Sequence, residues 1–340
     1  LFIYLPDSYS KTGKHYPVLY VLDGGNHFNH SVIASQYLRR LDRIPELIVV
    51  AIPNNEGTRY RDLNLEKENF TRFIKKELVS YVDKHYRTTS QNTLFGSSSA
   101  GAYAVHLLSN EPELFQNYIA SSPFIEINDL KSYTSFLKTV NKQPQLKSLY
   151  FSLTEEKEEG KRRTDSVSQF VALLNTNPPQ NLSWRYEFLT NQSHLTTPYI
   201  SLFNGLTQVF ASYQPPRISS YKDYSDLGGI EGVHEYYKKR AQIYGTAPST
   251  PQQTLLNIAS LLLSDDHAEA SLAIYHHLTA EYPESAESFS GLGKAYEAMK
   301  HYDKSVAAHK KAVKLDETMD TDWQALFQTR LDKVMEKIHR

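Results

Sequence analysis

Seven short apolar runs, FIYLP, PVLYVLDG, ELIVVAIP, NTLFG, NYIASS, KSLYFSL and WRYEFL, are strung along the first 213 residues and alternate with amphipathic stretches. Runs this short, rich in Val, Ile, Leu, Phe and Tyr, with helix-length segments between them, predict a mostly parallel sheet covered by helices, an α/β architecture. Between the third and fourth runs, Phe70, Phe73, Ile74, Leu78, Tyr81 and Val82 recur at helical spacing and predict a helix that ends near His85. Strand, helix, strand is the repeating unit.

The pattern stops after YISLFNGLTQVFASY, where QPPR at 214–217 breaks any helix and opens a polar stretch through YSDLGG. The expected division is therefore 1–213 for the α/β domain, 214–250 for a linker with one helix, and 251–340 for an all-helical domain. With about 100 to 200 residues per domain as a guide, a chain of 340 residues accommodates that division. In the last part His267 aligns with His301, Leu255 with Phe289, Ile258 with Leu292, Ala259 with Gly293 and Leu272 with Val306, all 34 positions apart. A period of 34 with paired helices is that of the tetratricopeptide repeat, and SGLGKAYEAMKHYDKSVAAHKKAVKLD resembles it. Trp323, Leu326, Phe327, Val334 and Ile338 are expected on the buried face of a capping helix. Two repeats are fewer than the three an independent array needs, so they are expected to lean on the first domain. Their exposed helices are expected to offer a surface to a protein partner or to a second copy of the chain.

Charge excludes several function classes. With 37 basic and 38 acidic residues the formal net charge is -1, which gives no electrostatic footprint for nucleic acid. No stretch approaches the length of a membrane span, and no cationic start leads into an apolar signal core. The chain opens at Leu1 without methionine, so the compartment stays open between periplasm and cytoplasm. Zero cysteines exclude disulfides, a thiol nucleophile and cysteine metal sites.

The chemistry-bearing stretch is NTLFGSSSAGAYAVHLL, 92–108, where three serines stand between two glycines, after a strand-like run and before a helix-like one. A nucleophilic serine on a sharp strand-to-helix turn follows the pattern GxSxG, whose glycines let strand and helix approach closely. Two registers fit. Ser98 has Gly96 two before and Ala100 two after; Ser99 has Ser97 before and Gly101 after. Ser98 is favoured because it keeps the glycine at the strand end and leaves its hydroxyl at the apex. A plain helix cap after a tight turn fits the same residues. A serine is inert near neutral pH unless a histidine takes its proton, and that histidine needs an acid to hold its tautomer. In this kind of sheet they arrive in the order serine, acid, histidine. His194, in the polar loop after the last strand, completes that order among 13 histidines. The acid should follow KSLYFSL, where TEEKEEG offers Glu155, Glu156, Glu158 and Glu159. Reach from Leu153 narrows the choice to Glu155 and Glu156, and strand alternation favours Glu156, with Asp165 next in line.

Through LPDSY, YPVLYVLDGG, VVAIPNNEGTRYRDL, FTRFIKKELVSYVDKHYRT, LFGSSSAG and SHLTTPYISLFNGL, from Leu1 to about Tyr213, the chain resembles the putative esterase family of α/β-hydrolases, which includes siderophore esterases of the enterobactin type and S-formylglutathione hydrolases. That family's elbow reads GHSxGG; here Ser97 replaces the histidine and Ala100 a glycine. The resemblance implies Ser98 as nucleophile, His194 as base and Glu156 as acid, the last through the family's small-x-Glu turn at Thr154, Glu155 and Glu156. The oxyanion hole is expected from the backbone amide of Ser99, the residue after the nucleophile, and, by resemblance to the family's LDG turn, that of Gly25. His27 and His30 lack the third ligand a metal needs, so no metal and no cofactor are expected. Arg59 to Asp62, RYRD, is expected to hold a structural ion pair.

These residues together predict a serine carboxylic-ester hydrolase acting on a small-molecule ester, with a siderophore-type ester implied by the resemblance alone. Acyl transfer to an alcohol on the same fold and a non-catalytic binding platform are the competing expectations.

Overall fold

All seven apolar runs become strands in the computed structural model, which describes residues 1–54, 56–316 and 323–338. They are β1 (Phe2–Tyr4), β2 (Tyr16–Val21), β3 (Ile48–Ala51), β4 (Thr88–Ser97), β5 (Asn117–Ser121), β6 (Lys147–Leu153) and β7 (Leu182–Phe188). One sheet contains them in the order β1-β3-β2-β4-β5-β6-β7, with β1 antiparallel to β3 and every other pair parallel. Parallel neighbours require crossovers. These are supplied by α1 (Gly24–Arg40), α2 (Glu56–Tyr60), α3 (Lys67–Phe73), α4 (Val79–His85), α5 (Ser99–Asn110), α6 (Leu130–Val140), the single turn α7 (Glu156–Glu159) and α8 (Lys161–Thr176), with α9 (Thr197–Val209) following β7.

Successive residues of β2 feed opposite cores, which is why its sequence is apolar throughout rather than alternating. Val18, Tyr20 and Leu22 pack with residues of α3 to α6 and α8. Leu19 and Val21 pack on the other face with Leu38 of α1 and with Leu202 and Leu206 of α9. The helix expected to end near His85 does end there, but a π-helical turn, Ile74–Leu78, interrupts it. That extra residue makes Phe70, Ile74, Leu78 and Val82 the buried stripe and leaves Tyr81 47% exposed, stacked on His85.

The chain divides into two compact units. The first comprises Leu1–Gln214 with Gln242–Thr246; the second runs from Pro215 to Ala241 and onward from Ala247. Residues 214–250 carry two helices, α10 (Tyr221–Asp226) and α11 (Gly229–Tyr244), where the sequence suggests one.

Among the described residues the rest of the second unit contains α12 (Gln252–Ser264), α13 (Ala268–Glu281), α14 (Ala286–Ala298), α15 (Tyr302–Asp316) and α16 (Trp323–Ile338). Residues 317–322 and 339–340 of the expected helical domain lie outside the described residues. The 34-residue offset holds in atomic detail. Ser271 Oγ donates to the carbonyl of Ala259 at 2.7 Å, and Ser305 Oγ to that of Gly293 at 2.8 Å. The amides of His267 and His301 donate to Leu262 and Tyr296, both at 2.9 Å. Asp266 (φ 58°) and Lys300 (φ 61°) take the same left-handed conformation before them. On α16, Phe327, Leu331 and Val334 are buried, while Trp323, Leu326 and Ile338 are exposed. The inward face thus differs from the expected one at three of its five residues.

Candidate active site

The carboxyl end of β4 turns sharply into α5, and Ser98 stands at the turn with φ 58° and ψ -120°. Ser97 is the last strand residue and Ser99 the first helical one. A non-glycine residue with that backbone is strained by roughly 1–3 kcal/mol and persists only where its surroundings fix it. Here the Ser98 amide donates to the carbonyl of Ser121 on β5 at 2.9 Å, and the Ala102 amide donates to the Ser98 carbonyl at 2.9 Å. Two glycines make the approach possible. A Cβ on Gly96 would lie 2.2 Å from the Ala100 carbonyl oxygen, and one on Gly101 2.7 Å from that of Ser121. Alanine at position 100 is accommodated and fully buried.

His194 lies in the loop after β7, half-buried. That loop is tied to the end of β6: Thr154 Oγ1 donates to the carbonyls of Leu189 (2.7 Å) and Gln192 (2.9 Å), and the Leu189 amide donates to that of Leu153 (2.8 Å). The carboxylate that faces His194 belongs to Glu159, whose Oε2 is 2.8 Å from His194 Nδ1. Glu156, the expected acid, is instead exposed and accepts a bond from Thr164 Oγ1 at 3.3 Å. Glu155 pairs with Lys157, and Asp165 with Lys161. The cause of this correction is local. Glu155 is still extended (φ -63°, ψ 147°), but from Glu156 the backbone makes one helical turn, with the amides of Glu158 and Glu159 donating to the Glu155 carbonyl. Strand alternation therefore no longer decides which side chain points inward, and the turn buries the last glutamate of the run.

Both oxygens of Glu159 are occupied. Oε1 accepts from Ser122 Oγ at 2.5 Å, and Oε2 accepts from Arg163 Nη1 at 2.7 Å as well as facing His194. Burial alone would raise its pKa, but the bonds from His194, Ser122 and Arg163 outweigh it and hold the carboxyl down at about 2. Ionised Glu159 is an acceptor only, so His194 Nδ1 carries the proton between them, and in the neutral tautomer this selects, Nε2 is the acceptor. Arg163 Nη1 also lies 3.1 Å from His194 Nδ1. Both nitrogens address one carboxylate oxygen, so they are neighbours rather than bonded partners. Arg163 Nη2 reaches to 3.5 Å from Ser98 Oγ.

Arg163 carries no signal in the sequence. Its four-residue spacing from Glu159 spans Gly160 (φ 79°), where α7 gives way to α8, and only the folded turn aligns them.

The amides expected to form an oxyanion hole both lie in the first turn of a helix. Ser99 is the first residue of α5 and Gly25 the second of α1, positions where an N–H has no acceptor within its helix. Gly24, one residue earlier, already donates to the Ile52 carbonyl at 2.8 Å. The strands that lead to the two amides, β2 and β4, are neighbours in register Val21 to Phe95. The turn before Gly25 is braced at Asp23 (φ 54°), whose carboxylate takes two parallel bonds from Arg59, Nε at 2.7 Å and Nη2 at 2.8 Å. Arg61 pairs with Asp62 at 2.7 Å. The RYRD stretch thus holds one ion pair within itself and reaches outside it to Asp23 and, at 4.0 Å, to Glu66. His27 and His30 stack on each other at 5.1 Å, and burial pushes His30 down to about 4. No cluster of three or more His, Cys, Asp or Glu side chains that could hold a metal occurs among the described residues. No helix among the described residues is long and apolar enough to cross a membrane.

A family model described as "Putative esterase" matches residues 1–197. The chain is 25% identical over 215 residues to the ferri-bacillibactin esterase BesA of Bacillus subtilis (strain 168), which covers 53% of this chain and 74% of that protein. Among solved structures, an uncharacterised protein from Capnocytophaga ochracea DSM 7271 superposes with a TM-score of 0.64 at 18% identity, covering 98% of this chain and 94% of the other. An IroE-like serine hydrolase from Shewanella oneidensis superposes with a TM-score of 0.58 at 23% identity, covering 82% and 94%.

Proposed function

The chain belongs to the Putative esterase family, and on that premise we propose that it hydrolyses carboxylic esters through Ser98, His194 and Glu159. The observation that carries the reading is the 2.8 Å contact between a buried carboxylate and His194 Nδ1, beside a serine held at a strained strand-to-helix turn. Ser98 Oγ attacks the ester carbonyl while His194 Nε2 takes its proton. The amides of Ser99 and Gly25 hold the oxyanion that develops on the carbonyl oxygen. His194 then returns the proton to the leaving alkoxide, and Glu159 stabilises the imidazolium in between. Water, activated by the same histidine, releases the acid.

Ser98 is the nucleophile rather than Ser99, because the apex conformation falls on residue 98. A fluorophosphonate probe should label one serine, and the label should be lost in Ser98→Ala and kept in Ser99→Ala. Turnover of a chromogenic ester should fall about 10⁴-fold or more in Ser98→Ala and much less in Ser99→Ala. Labelling at Ser99, or none at all, would refute this reading. The name of the Bacillus relative supports a siderophore-type ester as substrate. The 34-residue repetition in the second unit supports reading its helices as tetratricopeptide-like repeats that receive a protein partner or a second copy of the chain.

A further inference from the structure

Three consecutive cations open α8, and two of them are accounted for at the surface. Lys161 Nζ bonds Asp165 at 3.0 Å, and the Arg162 guanidinium lies 4.9 Å over the ring of Phe124. Arg163 turns inward instead. One edge of its guanidinium is used by Glu159, through Nη1. The other edge, Nε with Nη2, is the one by which Arg59 grips the two oxygens of Asp23. On Arg163 that edge has no anion. Its Nε is buried without a hydrogen-bond partner among the described residues, and its Nη2 has only Ser98 Oγ, at the outer limit of a hydrogen bond. A guanidinium presents its donors in a fixed fork that matches a carboxylate, and an unfilled donor out of water is costly.

The sheet order says on which side of the ester this cation stands. β2, which leads to the Gly25 amide, flanks β4 on one side, and β5 and β6 lie on the other. The carbonyl oxygen belongs on the β2 side, with the amides. Arg163 comes from the β6 side, next to His194, the group that protonates the leaving oxygen. We propose that Arg163 is a specificity-determining residue that binds a carboxylate on the leaving alcohol, so that the preferred substrate is the ester of a hydroxy acid whose own carboxylate is free. This rests on the ester hydrolysis proposed above.

Two chromogenic esters, 4-nitrophenyl butyrate and 3-carboxy-4-nitrophenyl butyrate, differ by one carboxylate on the leaving group. Arg163→Gln should lower kcat/KM for the carboxylated ester about tenfold more than for the plain one, with the extra loss in KM, and Arg163→Lys should recover part of it. Loss of the bond to Glu159 slows both esters, and the ratio cancels that effect. An unchanged ratio would make Arg163 a brace for Glu159 and overturn the proposal. Calorimetric titration of Ser98→Ala and of Ser98→Ala with Arg163→Gln reads the same preference without turnover. Binding of the carboxylated ester about tenfold tighter than the plain one in the first variant, and equal binding in the second, would support the carboxylate site even in a protein that hydrolyses neither ester. Equal binding of the two esters to Ser98→Ala would overturn it in a protein that hydrolyses both.

Discussion

Replacing Glu159 by Gln removes a charge that three groups are arranged to receive: His194, Ser122 and Arg163. The side chain is fully shielded from solvent, and its carboxyl is held at about 2 against an ordinary value of 4.5. That depression is worth about 3 kcal/mol in favour of the folded, ionised form at neutral pH. Because the folded pKa is the lower one, the stabilisation is complete above about 4.5 and is lost as pH falls through about 2. Glu159→Gln should therefore melt roughly 6–12 °C below the parent at pH 7, and the gap should narrow as the pH is lowered from 4.5 toward 2. The amide cannot stabilise imidazolium, and its NH2 offers a second donor where Nδ1–H needs an acceptor. Turnover of a chromogenic ester should drop about 10⁴-fold. Glu156→Gln, which removes only an exposed contact with Thr164, should stay within about twofold and melt with the parent. A Glu159→Gln protein with more than a tenth of parental turnover, or equal losses in the two variants, would refute the assignment of the acid.

Other outcomes follow from the same geometry. Gly101→Val would drive a side chain into the Ser121 carbonyl, with even the Cβ only 2.7 Å away, so fluorophosphonate labelling should vanish and the melting temperature should fall. Asp23→Ala should leave Arg59 without its carboxylate and loosen the turn that carries Gly25, lowering turnover at least about tenfold while the label at Ser98 persists. His309 is fully buried with neither ring nitrogen hydrogen-bonded among the described residues, and burial pushes it down to about 4. Its folded pKa lies below the unfolded value of 6.5, so stability present above that pH is lost as pH falls toward 4, by up to about 3 kcal/mol. Hydrogen exchange in α14 and α15 should accelerate over that window, and His309→Leu should flatten the response.

The strands were legible because a sheet covered on both faces writes itself as unbroken apolar runs, and Tyr16 to Val21 is buried at all six positions. The elbow was legible for a related reason: the close approach excludes a Cβ at Gly96 and Gly101, and glycine is visible in a sequence. The acid was not. Four glutamates within five residues are chemically alike, and only the helical turn that begins at Glu156 decides that Glu159 is enclosed while Glu156 faces water. Arg163 was hidden more deeply, since the groups around it lie in three other segments, at Ser98, Glu159 and His194, and an arginine beside another arginine and a lysine looks like solvated surface. The stripe on α3 and α4 shows a third kind of limit, in which a single extra residue in a π-turn rotates Tyr81 out of the core without leaving a trace in the composition.

The backbone of Ser98 also has a bearing on how this chain would respond to selection. Its φ of 58° and ψ of -120° suit glycine and strain every other residue. Ser98→Gly would relax the turn by roughly 1–3 kcal/mol and remove the hydroxyl in the same step. A population passaged under heat, with no demand on turnover, would thus gain by discarding the hydroxyl that begins the proposed chemistry. Retention of serine at that apex, against a steady pull toward glycine, is what continuing use of the site would look like in a lineage.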